Sequence, residues 1–294
     1  MKQLVIHPRT EQHILRFLEH PSHALLIVGP MGGGKLSLAE YIARKLLSMD
    51  ADGDLSSYAF YTTVLPEKDK TSLGIEAIRG LQPLVKLKLP ANSRAWRIIL
   101  IGDAQMLTTE AQNALLKLLE EPPQQTIFLL TADSLEKLLP TIRSRTQQLT
   151  VTLPTQAAIS EYFMANGHEK DAVRQAYMVS GGLPGLTAAM LETTGHPLEE
   201  AVKTAKELLR ANQFERLCRV DELAKKKPET LQVLFVLQHM ARAAIAQSAQ
   251  VTDGTAIKRL KQWHRVQKAA YEAEQAYSVS AQAKLTLTNL MLSL

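Results

Sequence analysis

His23-ALLIVGPMGGG-Lys35 sets the reading of this chain. An apolar run bounded by turn formers reads as a buried parallel strand. It feeds a turn holding Gly29, Gly32, Gly33 and Gly34, and Lys35 opens a helix expected to reach about Met49. Gly29, Gly34 and Lys35 match the spacing G-x-x-x-x-G-K between a strand and a helix. Glycines let backbone N–H groups converge on phosphate oxygens, and the helix N-terminus adds positive field. Lys35 would then reach the outer phosphates. The bland alternative is a glycine-rich strand-to-helix turn that holds nothing.

The residue after such a lysine normally offers a hydroxyl to magnesium. Here it is Leu36, which cannot ligate a metal, and Ser37 is turned away by a helical step of about 100°. A second buried strand, Ile98–Ile101, runs straight into Gly102-Asp103. In ATPases of this design that strand ends in Asp-Glu, the first holding the magnesium shell and the second orienting the attacking water. Gly102 replaces the first, and Asp103 is one methylene shorter than the second. No meaningful hydrolysis is expected, because lost metal charge alone removes several kcal/mol of transition-state stabilisation. No cofactor is required on this reading; ATP or ADP binding is weak or lost, and the residues leave open which. Taken alone, Asp103 reads most simply as a solvated loop carboxylate or a helix-capping group.

Outward from these stretches the chain alternates. A short amphipathic helix is expected over residues 9–20, with Ile14, Leu15, Phe17 and Leu18 on one side. Tyr58–Leu65 reads as a strand, and 72–87 as a helix interrupted at Pro83. Thr109 opens a helix with Gln112 placed for a capping box; it stops at Pro122-Pro123. Thr126–Thr131, a short helix Leu135–Leu139 and a strand Gln147–Val151 follow. Strands alternating with helices imply a parallel sheet covered on both faces. Past Pro154 the period is helical, with breaks at Gly181-Gly182, Gly195-His196-Pro197 and Lys225–Pro228. The expected domains are an α/β nucleotide fold over 1–153, a small helical lid over 154–196 and an all-α collar over 197–294.

Composition narrows the class. The chain has 294 residues, 46% hydrophobic with 5% aromatic, which fits a helix-rich globular protein. No apolar run reaches the ~18 residues of a membrane span, and no h-region marks a secretory signal. Cytoplasmic residence is the default expectation. A single cysteine, Cys218, excludes an intrachain disulfide and a cysteine-built zinc site. His7, His13, His20 and His23 crowd the N-terminus, but Pro8 and Pro21 break any regular ligand spacing, so no metal site is expected. The net charge of +5 permits contact with nucleic acid without requiring it. Lys86, Lys88, Arg94 and Arg97 form a basic cluster that reads as a solvated loop rather than a DNA contact. The N-terminus of the helix at Thr108–Thr109 could offer amides to phosphate.

Asn113-ALLKLLEEPP-Pro123, within the run Asp103–Ala132, and Ser144-Arg145-Thr146, within Leu138–Leu149, carry a more specific signal. At this spacing they resemble the clamp-loader branch of the AAA+ ATPases. More narrowly they resemble bacterial DNA polymerase III clamp-loader subunits, and among these the delta-prime subunit, the non-hydrolysing stator. The resemblance covers roughly residues 1–190. It implies that Arg145 is an arginine finger donated in trans to a neighbour's ATP, a role suited to a planar, always-charged guanidinium. On residue type alone Arg145 would be a helix C-terminal cap or a carboxylate partner, and Arg143 is a nearby competitor for the finger. It further implies clamp-loader ATPase and delta-like subunits as partners, with the sliding clamp and primed DNA met through the assembled complex. The residue sensing the γ-phosphate falls on Ala132, with Thr131 adjacent. The lid stretch Gly181-GLPGLTA-Ala189 lacks the arginine of the ATPase subunits. Residues 50–57 hold no cysteine, so the zinc module common in delta-prime subunits is absent. Three rivals stand beside this reading: an active gamma/tau-like ATPase, an AAA+ scaffold outside replication, and a P-loop small-molecule kinase, which would have no use for the two motifs.

Overall fold

The computed structural model describes residues 4–50, 52–67, 70, 72–87, 89, 96–191, 196–249, 254–278 and 282–294. The chain divides into two compact units, Met1–Pro154 and Thr155–Leu294. The first unit runs α1 (Pro8–Glu19), β1 (Ala24–Val28), α2 (Lys35–Leu46), β2 (Tyr61–Val64), α3 (Ile75–Arg79), α4 (Leu81–Val85), β3 (Arg97–Ile101), α5 (Thr109–Glu120), β4 (Thr126–Ala132), α6 (Pro140–Ser144) and β5 (Gln147–Thr150). Its strands pair in parallel in the order β2-β3-β4-β1-β5.

The period-2 alternation of side chains sorts the apolar runs onto two faces. On one, Leu26, Ile99, Ile101, Phe128 and Leu130 pack with Leu115 and Leu119 of α5. On the other, Leu25, Ile27, Ile98 and Leu100 pack with Phe17 of α1 and Ile42 of α2. Every residue of β3 and β4 is buried, which is why both runs are continuously apolar rather than alternating. In α1, Ile14 and Phe17 face the core, but Leu15, expected beside them, is 53% exposed.

Several boundaries differ from the sequence expectation, each for a local reason. The strand expected from Tyr58 begins at Tyr61, because Leu55–Ser57 forms a 3-10 turn closed by the Tyr58 N–H. The helix expected over 72–87 breaks at Gly80 rather than Pro83. Pro83 sits in the first turn of α4, where a missing N–H leaves no bond unmade. No helix forms over Leu135–Leu139; it starts at Pro140, which drives Leu139 to ψ 138. The cap of α5 is Thr108, whose hydroxyl accepts from the Ala111 N–H at 3.2 Å. Gln112 therefore closes no capping box. Buried, it donates to the carbonyls of Leu107 (3.1 Å) and Lys137 (3.0 Å) and accepts from the Leu139 N–H (2.8 Å). It thus ties α5 to the segment leading into α6.

The second unit holds α7 (Gln156–Ala165), α8 (Lys170–Ser180), α9 (Pro184–Met190), α10 (Glu199–Arg210), α11 (Gln213–Cys218), α12 (Val220–Lys225), α13 (Lys227–Ser248), α14 (Gly254–Ser278) and α15 (Ala283–Ser293). Gly181, at φ 64, ends α8, and Pro184 opens α9. Gly195, read as a break, lies outside the described residues. The long α13 packs along α14. Of its expected stripe, Leu234 and Leu237 are fully buried while Leu231 and Phe235 are half-buried. Among the described residues, no helix is long and apolar enough to cross a membrane.

Replacing Gln112 with Ala removes the partner of the Leu139 N–H, of the buried Leu107 carbonyl and of the part-buried Lys137 carbonyl. A loss of about 2–3 kcal/mol in unfolding free energy is expected. It would be read from a lower urea midpoint at unchanged slope.

Candidate functional site: a phosphate loop closed on its own lysine

Parallel strands deliver their C-terminal ends to one edge of the sheet, the edge where open α/β sheets place ligands. Three of those ends meet here: Gly29–Lys35 after β1, Gly102-Asp103 after β3 and Asp133 after β4. The pairing of Val28 with Ala132 sets the first and third side by side, and the Gly29 N–H donates to the Ala132 carbonyl at 3.1 Å.

The loop needs its glycines. Gly34 caps α2 at φ 81, a left-handed conformation costly for other residues. A Cβ on Gly33 would lie 2.9 Å from the Pro30 carbonyl oxygen. Lys35 does not extend into solvent: its side chain is 8% exposed. Its ammonium donates to the Pro30 carbonyl at 3.0 Å and meets Asp133 Oδ1 at 2.5 Å. Gln105 holds Asp133 at two points, donating to the carboxylate Oδ2 at 3.2 Å and accepting from the backbone N–H at 3.2 Å. The same Gln105 amide reaches Asp103 Oδ1 at 3.3 Å.

Asp103 is half-buried rather than solvated, and its side chain caps no helix. Its backbone adopts φ 49, and its N–H donates to Thr131 Oγ1 at 3.0 Å. Burial raises its carboxyl above the ordinary value, and the Asp133 charge raises it further, against the opposing pull of Gln105 and Lys35. Thr131 is thus occupied, and Ala132 is buried with no polar atom to offer. The polar group that follows β4 into the site is Asp133, which the sequence reading missed. Its signal was its place just past the end of that strand.

The donor set does not fit magnesium, which demands near-octahedral oxygen ligands. Leu36 stands at the hydroxyl position. At the carboxylate position, a Cβ added to Gly102 would lie 2.5 Å from Leu65 Cδ2 and 3.9 Å from Leu36 Cδ1. The tip of the exposed Leu65 side chain thus overlies the point from which a carboxylate would project, and Leu36 lies at ordinary contact distance from it. Among the described residues, no group of three or more His, Cys, Asp or Glu side chains is arranged for a metal ion. His7 instead caps α1, accepting from the Arg9 N–H.

Arg145 lies elsewhere. It terminates α6 two residues before β5 begins, at the N-terminal edge of the sheet, where Gln147 pairs with Leu25. The five residues of β1 separate that edge from the phosphate loop, roughly 16 Å of strand. Its guanidinium donates to the Thr141 carbonyl at 3.2 Å and pairs with Glu120 Oε1 at 2.9 Å, with 37% of the side chain exposed. Glu120 belongs to the Asn113–Pro123 stretch, so the two motifs touch. Arg143 is half-buried, and its Nε has no hydrogen-bond partner among the described residues. Thr146 donates to the Ile142 carbonyl at 3.2 Å.

Of the expected basic cluster, Arg97 departs from the solvated reading. Arg97 is 3% exposed and donates to the Val85 carbonyl and Thr126 Oγ1, each at 3.1 Å, and also to the Leu87 carbonyl. Lys86 is exposed, and Lys88 and Arg94 lie outside the described residues.

A five-stranded parallel sheet of this order, with a glycine-rich loop closing on a lysine after its first strand, makes the first unit a P-loop module of the AAA+ kind. Residues 17–155 match the family described as DNA polymerase III, delta subunit. Through that stretch the chain is similar to clamp-loader subunits. It is 34% identical over 184 residues to the delta-prime subunit of Escherichia coli DNA polymerase III, a match covering 58% of this chain and 54% of that one. It is 32% identical over 206 residues to the delta-prime subunit of Pseudomonas aeruginosa, covering 64% and 62%. The chain thus spans little more than half the length of these curated relatives. The fold is similar to that of a gamma-subunit-related protein of DNA polymerase III from Thermotoga maritima (TM-score 0.56, 16% identity), with 96% of this chain and 97% of that one covered.

Asp103 yields a pH test. Its folded carboxyl holds a proton more tightly than in the unfolded chain, so ionising it opposes folding. That cost is absent below the unfolded value of 3.8 and complete above the raised folded value. Asp103→Asn, which tolerates the left-handed backbone, should therefore melt higher than the parent at pH 7. The gap should close as the pH falls toward 4 in a series of thermal melts.

Proposed function

We propose that this chain is a non-hydrolysing, delta-prime-like subunit of a cytoplasmic DNA polymerase III clamp loader. It lends Arg145 to ATP held by a neighbouring subunit while a sliding clamp is loaded on primed DNA. Residues 154–196 serve as the lid and 197–294 as the collar that joins it to ATPase and delta-like subunits. One observation carries the reading: Arg145 and Lys35 sit at opposite edges of one sheet. An exposed arginine so placed cannot serve its own phosphate loop, whereas a molecule docked on that face would receive it. The loss of both magnesium-ligand positions, at Leu36 and Gly102, supports the absence of turnover in this chain. The Glu120 pair is no obstacle to donation, since half-exposed ion pairs contribute about 0–1 kcal/mol.

The test is a reconstituted complex with its ATPase subunits, clamp and primed DNA. Arg145→Ala should lower ATP turnover several-fold while assembly, followed by size-exclusion chromatography, is unchanged. The drop is smaller than the ~10³ of a lone finger because other sites keep theirs. Arg145→Lys should also fall, since a point charge lacks the guanidinium fork. Unchanged turnover in Arg145→Ala removes the finger. Turnover by the isolated chain, lost in Lys35→Ala, would favour a gamma/tau-like ATPase instead.

A further inference from the structure

We propose that Asp133 is a resident stand-in for phosphate, a carboxylate that occupies Lys35 and keeps the Gly29–Lys35 loop closed to nucleoside di- and triphosphates. The proposal rests on reading that stretch as a phosphate loop and is independent of Arg145.

In a loop of this kind the lysine is the side chain that reaches the outer phosphates. An ammonium has three donors. Here one is spent on the Pro30 carbonyl of the loop itself and another on Asp133 Oδ1. The carboxylate is not a mobile surface group that swings aside. It leaves the end of β4, the strand paired with β1, and Gln105 fastens it by its backbone N–H and by Oδ2. Lys35, with its side chain only 8% exposed, has little water with which to replace that partner. A phosphate reaching Lys35 must either break the pair or take the one remaining N–H, and in both cases it meets the negative charge of the Asp133 carboxylate.

Charge points the same way. The site carries the cation Lys35 and two carboxylates, Asp103 and Asp133, bridged by Gln105. A magnesium ion ordinarily offsets such acidic groups, and Leu36 and Gly102 offer no side-chain oxygen to one. Phosphate oxygens would therefore meet an excess of negative charge in a half-buried setting, where screening is weak. Neutralising Asp133 without changing its shape frees Lys35 and removes one repelling charge together.

The experiment titrates the full chain with ADP, and separately with inorganic pyrophosphate, by calorimetry in EDTA at fixed ionic strength. The variants are the parent, Asp133→Asn, Lys35→Ala and the double Asp133→Asn/Lys35→Ala. Asp133→Asn should bind both ligands about tenfold tighter than the parent or more, a change of ~1.4 kcal/mol. The gain should vanish in the double variant. Equal affinity of parent and Asp133→Asn, both folded by circular dichroism, overturns the proposal. So does a gain that persists without Lys35, which would be repulsion lifted at a distance. Gln105→Ala is the second variant should Asp133→Asn not fold. It releases the carboxylate without removing its charge, and should tighten ADP binding by a smaller factor; no tightening counts against the proposal. If Lys35→Ala binds both ligands as the parent does while Asp133→Asn also gains nothing, the phosphate-loop reading itself fails. An unaffected partner ATPase in Arg145→Ala would leave this inference standing.

Discussion

The parallel pairing of β3, β4 and β1 is the constraint from which the rest follows. Each of these strands is covered on both faces, and the whole of β3 and β4 is shut away from water. Fully burying each Leu, Ile or Phe contributes roughly 1.5–3 kcal/mol. A one-residue slip would send each set to the opposite face, where α1 and α2 rather than α5 wait. The register is therefore held firmly, and the positions of three loops are held with it. Parallel direction then forces the ends of β1, β3 and β4 to a common edge. That edge is the site, and the opposite edge is where Arg145 is left.

At the site the chemistry is an ion-pair network. Lys35, Asp133, Gln105 and Asp103 satisfy one another across three loops. A buried cation of this kind is stable only with a partner, since an unpaired charge out of water is expensive. Lys35 has such a partner in Asp133, supplied from the end of the neighbouring strand.

The two motifs that carry the family resemblance are joined through Glu120 and Arg145. Gln112, one residue before the first motif, fastens the start of the same helix to the segment that leads into α6. The arginine therefore stands on a short helix anchored at both ends by α5, with Ile142 fully buried beneath it. A five-residue helix has little stability of its own. Tertiary anchoring is what gives Arg145 a defined place on the surface.

The local features were legible in the residues. A strand entering a glycine-rich turn at Gly29–Gly34 is set by backbone sterics, and the apolar runs of β3 and β4 by burial on both faces. The misread elements, Leu135–Leu139 and the break assigned to Pro83, were decided by single prolines whose effect depends on where the helix begins. What lies between distant segments was not legible. Lys35 and Asp133 are 98 residues apart, and only the β1–β4 register brings them together. Arg97 looked like one cation in a basic loop until the Val85 and Leu87 carbonyls and the Thr126 hydroxyl enclosed it. Periodicity and turn chemistry act over a few residues, so sequence alone settles them. The partner of a buried charge is chosen by which strand ends meet, and that is a property of the folded sheet.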